Sequence, residues 1–183
     1  MKWGAAELHD LHPDFRAAVI PILDDAEADG LDVRRQSGYR SNARQSGLHT
    51  TYLIEKAKFD RGERKEEPLP AAPAGKSAHN FALCSRDTSH LIGNADKCPS
   101  CGAATIGASL ALDVAILDPD GRAVHCPPER DIAKRPEVWQ RWSVILGRHV
   151  ATVRDGGNFQ GRLDVVHFES LGWNVLDHSY RKL

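Results

Sequence analysis

This chain has no run of 18 apolar residues, so no segment of it reads as a membrane span. It also lacks a charge of one sign: 24 Lys and Arg stand against 25 Asp and Glu, which leaves a net −1. A nucleic-acid partner therefore finds no support in the charge balance. The N-terminus lacks the apolar core of a signal peptide, because Glu7, His9 and Asp10 interrupt it. Synthesis in the cytoplasm without a leader is the expectation. No internal repeat occurs. Cysteine is scarce, with four in 183 residues, and in a chain made in the cytoplasm they favour metal binding over disulfides. What is present is an ordinary globular mix, 41% hydrophobic and 27% charged, which argues against wholesale disorder. The length suits one domain with a single core.

Pro13 to Ala28 predicts a helix with Phe15, Val19, Ile22, Leu23 and Ala26 on one face. Pro13 suits its first turn, Pro21 should kink its middle, and Gly30 ends it. Leu31 to Gln36 alternates as a short strand. Ser37-Gly38-Tyr39-Arg40-Ser41 then turns the chain, and Ser41 or Asn42 caps a second helix running to about Phe59, with Leu48 and Tyr52 expected inward. Residues 60–76 are charged, then rich in Pro and Ala, and read as a mobile loop. Leu110 to Leu117 is apolar enough for a buried strand. Asp118-Pro119-Asp120-Gly121 is a turn signal, with Arg122 to Cys126 as the returning arm of a hairpin. A helix from Pro136 carries Trp139, Trp142, Leu146 and His149, and Leu163 to Phe168 reads as the last strand. The order predicts an α+β domain, helices packed on a small antiparallel sheet.

Two of the nine histidines have a distinctive context. His79 lies in Ser77-Ala78-His79-Asn80-Phe81, after the Gly, Pro and Ala-rich stretch. His167 lies in Asp164-Val165-Val166-His167, within the last predicted strand. Residues three apart on a strand face opposite sides, so Asp164 and His167 need a bend to converge. On spacing alone, a core histidine and a surface aspartate are the better explanation of this pair.

Taken together these segments resemble the LAS-type zinc metallopeptidases: D-Ala-D-Ala carboxypeptidases and dipeptidases, phage L-alanyl-D-glutamate endopeptidases, and the hedgehog signalling domain. The family carries S-x-H followed by A-x-D, then [DE]-x-x-H. Ser77-Ala78-His79 opens the first motif, Ala111-Leu112-Asp113 closes it, and Asp164-Val165-Val166-His167 supplies the second. Ser37-Gly38-Tyr39-Arg40-Ser41, followed by Gln45 and Leu48, matches a further signature. The pieces keep family order across residues 11–170. The departure is an insertion at roughly residues 84–109, which separates His79 from Asp113. Removing it restores the family spacing. Asp87 and Asp96 are the competing carboxylates, without the apolar strand context of Asp113.

The resemblance implies a hedgehog-like fold and a catalytic zinc held by His79, Asp113 and His167. Two imidazoles and a carboxylate leave a fourth position open, as a catalytic site requires. Zinc brings the pKa of bound water toward roughly 7, and Asp164 would serve as the general base. Arg40 is implied to bind substrate or steady the oxyanion, a task that suits a permanently charged fork of donors; a structural salt bridge is its alternative. Ser77 touches substrate or shapes the turn. Tyr39 and Glu169 receive no role.

Inside the insertion, Cys84 is followed by Cys98-Pro99-Ser100-Cys101-Gly102, a zinc-knuckle signal. If 118–121 turns the hairpin, residue 113 faces 126, which brings Cys126 to the base of the insertion. A structural four-cysteine zinc site of Cys84, Cys98, Cys101 and Cys126 is expected, with His90 as the alternative fourth ligand. Residues 84–109 would then be an inserted zinc-knuckle subdomain.

The implied function is peptidoglycan hydrolysis by an endolysin that cuts the L-Ala-D-Glu bond of the stem peptide and reaches the wall through a separate holin pore. Asp164 favours this reading, since the resemblance implies Asp there in the phage endopeptidases and Glu in the D-Ala-D-Ala enzymes. A D-Ala-D-Ala carboxypeptidase or dipeptidase, or a non-catalytic metal-bound recognition domain, are the alternatives. Nothing in the sequence calls for a partner chain, so a monomer suits it.

Overall fold

The apolar face at spacings of three and four along Pro13–Ala28 makes helix α1 and buries Phe15, Val19, Ile22, Leu23 and Ala26. The computed structural model describes residues 8–68, 70–74, 77–88, 91–92, 97–127, 129–159 and 163–171. Helix α1 runs through Pro21 without a break. It stops at Gly30, whose φ of 75° is the left-handed geometry a helix end asks of glycine. Strand β1 (Asp32–Ser37) follows, then helix α2 (Asn42–Asp60), whose first turn is capped by the Ser41 hydroxyl accepting from the Arg44 amide.

Helix α2 differs from its predicted packing. Leu48 is 40% exposed, Tyr52 is half-buried, and Gln45 is its buried residue. The physical reason is visible in its sequence, which has no continuous apolar stripe to lay on a core. The loop after it, expected to be mobile, is tied down at one point. The Gln45 side-chain amide donates to the Ala72 carbonyl at 2.6 Å, and His49 Nδ1 meets the Ala71 carbonyl at 2.6 Å.

The remaining strands are β2 (Ala82–Cys84), β3 (Leu91–Ile92), β4 (Thr105–Gly107), β5 (Ala111–Leu117), β6 (Val153–Asp155) and β7 (His167–Ser170). Helix α3 (Glu137–Arg148) precedes β6, with His149 at its C-cap. A four-stranded antiparallel sheet has the order β1-β5-β7-β6. Helices α1 and α3 cover one of its faces. Phe168 of β7 packs there against Phe15 and Trp142, with ring centroids 5.9 and 5.7 Å apart, so the main core lies between sheet and helices. The protein is thus α+β, with three α-helices and a small antiparallel sheet among the described residues.

The strands between residues 82 and 107 build a second sheet, ordered β3-β2-β4 and fully antiparallel. Its base is closed by backbone bonds: Ala108 N donates to Phe81 O and Leu110 N to Ala78 O, each at 2.9 Å. The segments that carry His79 and Asp113 are therefore adjacent in space although far apart in sequence.

Two strand assignments change. The last strand begins at His167 rather than Leu163, and 165–166 form a turn closed by His167 N donating to Asp164 O at 3.0 Å. Residues 122–126 form no strand. They touch β5 through one bridge, Leu117 to Ala123, and one bond from Val124 N to Ile116 O. Beyond that point β7 occupies the same edge, pairing His167 with Asp113. Cys126 consequently cannot face residue 113.

Candidate metal centre

The register of the main sheet assembles the site. Asp113 of β5 lies opposite Ser37 of β1 on one side and His167 of β7 on the other, and directly opposed residues on an antiparallel pair share a face. His167 and Glu169, two apart on β7, share that face too. His79 arrives from the turn closed by Asn80 N donating to Ser77 O. That turn is laced to the segment after β1: Arg40 N donates to His79 O at 2.8 Å, and the Asn80 side chain donates to Arg40 O at 2.6 Å.

His79 Nε2 lies 3.1 Å from Asp113 Oδ1 and 3.2 Å from His167 Nδ1, while His167 Nδ1 lies 2.8 Å from the same Asp113 oxygen. The three form a cluster able to hold a metal ion. Their outer atoms are already engaged. His79 Nδ1 donates to the Gly38 carbonyl at 2.7 Å; a carbonyl only accepts, so the proton sits on Nδ1 and Nε2 presents a lone pair. His167 Nε2 faces Glu169 at 3.2 Å, which fixes that ring in the same way. Glu169 is 3% exposed and is gripped by Arg154, whose Nε donates to it at 2.7 Å. The second Asp113 oxygen accepts from Arg40, and Arg40 Nε donates to Ser37 Oγ at 3.0 Å.

Two imidazole nitrogens and a carboxylate oxygen thus converge with their outer atoms already bonded, an arrangement compatible with a cation among them. The titration tendencies say the same. Burial lowers His79 despite Asp113 beside it. Burial also opposes the charge on Asp113, but hydrogen bonds from His167 and His79 outweigh it and hold the carboxyl far below its usual range. At His167 burial is again outweighed, by Asp113 and then Glu169, and the ring is raised to about 9. A proton held on His167 at neutral pH balances the charge of Asp113.

A cleft of about 240 Å³ opens on the cluster, lined in part by Arg40, Gln45, Ser77, Phe159 and Asp164. Asp164 is exposed at its mouth, and partial burial raises its carboxyl above the ordinary value against the pull of His167. Gln45 is 1% exposed, and its Oε1 has no hydrogen-bond partner among the described residues. Asp164 also lines a larger groove of about 920 Å³, with Val114, Val124, His125, Cys126 and Trp139. Of the competing carboxylates, Asp87 is exposed and is not part of the cluster, and Asp96 lies outside the described residues.

Three site features carry signals that the sequence reading passed over. Glu169 stands two residues after His167, the period that puts both on one strand face. Gln45 is a polar residue three after the Asn42 that starts α2, on the turn facing the 71–72 segment. Gly156 is packed so closely that a Cβ there would lie 2.3 Å from the Asp164 carbonyl oxygen.

Cys84, Cys98 and Cys101 form a second cluster with metal-ligand spacing. Cys126 is not part of it. It lies beside the main core, with its thiol donating to the Pro127 carbonyl at 3.5 Å, and burial pushes that thiol up. The expected four-cysteine set is therefore corrected, because β7 holds the edge along which Cys126 was to approach. His90 lies outside the described residues. Burial opposes ionisation of Cys98, but the amides of Ser100 and Cys101 and the thiols of Cys101 and Cys84 outweigh it and bring Cys98 down to about 6.

The chain matches no protein-family model, and no curated protein matches it. Among the described residues no helix is long and apolar enough to cross a membrane.

Proposed function

We propose that this protein is a zinc-dependent peptidoglycan peptidase of the hedgehog-like LAS type, cutting the L-Ala-D-Glu bond of the stem peptide. One observation carries the reading: two histidines and one aspartate converge, with their distal atoms held by Gly38, Glu169 and Arg40, beneath a cleft with a carboxylate at its mouth. The donor set suits zinc, which takes imidazole nitrogen and carboxylate oxygen and keeps one position open in catalytic sites. Bound there, zinc supplies a Lewis acid and a nucleophile at neutral pH.

The chain's own residues would do the rest. Asp164, raised by burial, accepts a proton at the cleft mouth and returns it to the leaving amine. The Gly38 carbonyl and Glu169 keep both imidazoles in one tautomer and orientation. Arg40, committed to Asp113 through one guanidinium nitrogen, borders the cleft as a fixed positive charge beside a developing oxyanion. The Gln45 carbonyl is a buried acceptor that a substrate amide would satisfy. Ser77 lines the same wall. The groove beyond Asp164 gives an extended peptide room on the far side of the scissile bond.

Digestion of purified peptidoglycan, with new N-termini identified by mass spectrometry, tests the reading. New D-Glu N-termini, lost on chelation and in His167→Ala, are expected. Release of terminal D-Ala alone would instead assign a D-Ala-D-Ala carboxypeptidase. Metal binding with no cleavage of any wall preparation would leave only a recognition domain.

A further inference from the structure

The inserted sheet is too small to hold itself together. Its strands are three, two and three residues long, and the buried cluster beneath them is Cys84, Ile92, Cys98 and Ala103. Structures of this size need a staple. No disulfide supplies it: all four cysteines are free thiols, and the 3.5 Å between Cys84 Sγ and Cys101 Sγ far exceeds the S–S bond of about 2.05 Å.

The same distance suits shared coordination. Zinc–sulfur bonds of about 2.3 Å in a tetrahedron place sulfurs roughly 3.8 Å apart. The three sulfurs here all lie within 4.8 Å of one another. The knuckle that presents two of them is independently built for the purpose. Gly102 N donates to Cys98 O at 2.8 Å and Cys98 N to Ala103 O at 2.7 Å. Gly102 takes φ 68°, the left-handed conformation that closes such a turn. Cys84 meets the knuckle from the end of β2, and Ser85 N donates to Ala104 O at 3.0 Å to lock the two together.

We propose that Cys84, Cys98 and Cys101 hold a second, structural zinc ion in a three-thiolate site whose fourth donor is not cysteine. The fourth cysteine of the chain is Cys126, and it lines the groove on the main sheet. The ion fastens the tip of the inserted sheet, while Phe81, Ala82 and the partners Gly107 and Ala108 form its base. His79 lies directly before that base and Asp113 follows it. The thiolate site therefore holds the two halves of the interrupted motif in register. It stands independently of the peptidase reading.

Elemental analysis of the purified full chain, with variants, provides the first test. The wild type should carry two zinc ions, Cys126→Ser two, His167→Ala one, and Cys98→Ser/Cys101→Ser one. One ion in the wild type and in His167→Ala, with none in the double cysteine variant, would support the thiolate site and sink the catalytic one. Loss of an ion in Cys126→Ser would overturn the three-thiolate set. Alkylation covers the case in which the double variant does not fold. Cys101 is exposed in the structure and would react freely as an unliganded thiol. In native wild type its labelling by iodoacetamide should be at least tenfold slower than after the metal is stripped by a strong chelator. Equal rates before and after stripping would refute the proposal.

Discussion

Asp164 borders the metal cluster without belonging to it, so its contribution separates from metal binding. Asp164→Asn keeps the shape and removes the proton acceptor. Zinc content should stay at the wild-type level while turnover on peptidoglycan falls by about a hundredfold or more; a near-normal rate in a metal-replete preparation would dismiss Asp164 as the base. Glu169 acts one step further back. It touches His167 Nε2, is held by Arg154 and borders the same cleft, so it orients the ring. Glu169→Gln should weaken zinc binding by about 10–100-fold, as measured by competition with a chromophoric chelator, because a weaker acceptor leaves the imidazole less basic and less fixed. In saturating zinc most of the activity should return. Failure of zinc to restore it would mean that Glu169 serves the reaction in some other way.

At the scale of elements, the turn carrying Asp164 and His167 depends on a glycine outside it. Gly156 N-terminal to the turn receives the Asp164 amide on its carbonyl at 3.0 Å, and its α-carbon lies against the Asp164 and His167 carbonyls. A methyl group would sit 2.3 Å from one and 2.8 Å from the other, both backbone atoms that cannot swing aside. Gly156→Ala should destabilise the fold by about 1–3 kcal/mol, a typical cost of overpacking, and should lower zinc affinity by displacing His167. Urea unfolding together with zinc titration checks this, and unchanged values in both would place the turn elsewhere. The need for a bend between Asp164 and His167 was legible from their three-residue spacing, but the point where the strand begins was not. Leu163-Asp164-Val165-Val166 has the composition of a strand, and only β7's pairing from His167 onward shows where the extended backbone begins. Elements with a full amphipathic face were legible: α1 is predicted to the residue, and α3 within one or two. Local period dictates such helices. Contacts set by competition for one sheet edge were not legible, which is why Cys126 was misplaced and the His79 and Asp113 pairing needed a resemblance rather than a spacing.

Across the whole molecule, one cation would join three separate elements: the turn before β2, the centre of β5 and the start of β7. Removing it leaves a cluster whose charges must balance by protonation, so the metal-free protein's stability becomes pH-dependent. The signs follow from the two directions of shift. His167 is raised from 6.5 to about 9 in the folded chain, so its contribution is complete below pH 6.5 and is lost as pH rises through about 9. Asp113 is lowered from 3.8, so its contribution is present above that value and disappears in stronger acid. Burial lowers His79 from 6.5, so its protonation costs stability as pH falls below that value. The chelator-stripped protein should therefore be most stable near pH 6.5 as far as this cluster decides, and should weaken steadily toward pH 9. His167→Gln removes the titrating ring and serves as the reference, because every other group titrates in both proteins. Thermal melts of the two metal-free proteins from pH 6 to 10 should converge as pH rises, the wild type losing its advantage. With zinc restored, the wild type should instead hold its melting temperature across neutral pH, since the metal binds the neutral imidazole and competes with the proton. Parallel melting curves for the two metal-free proteins would show that His167 carries no extra proton in the folded chain.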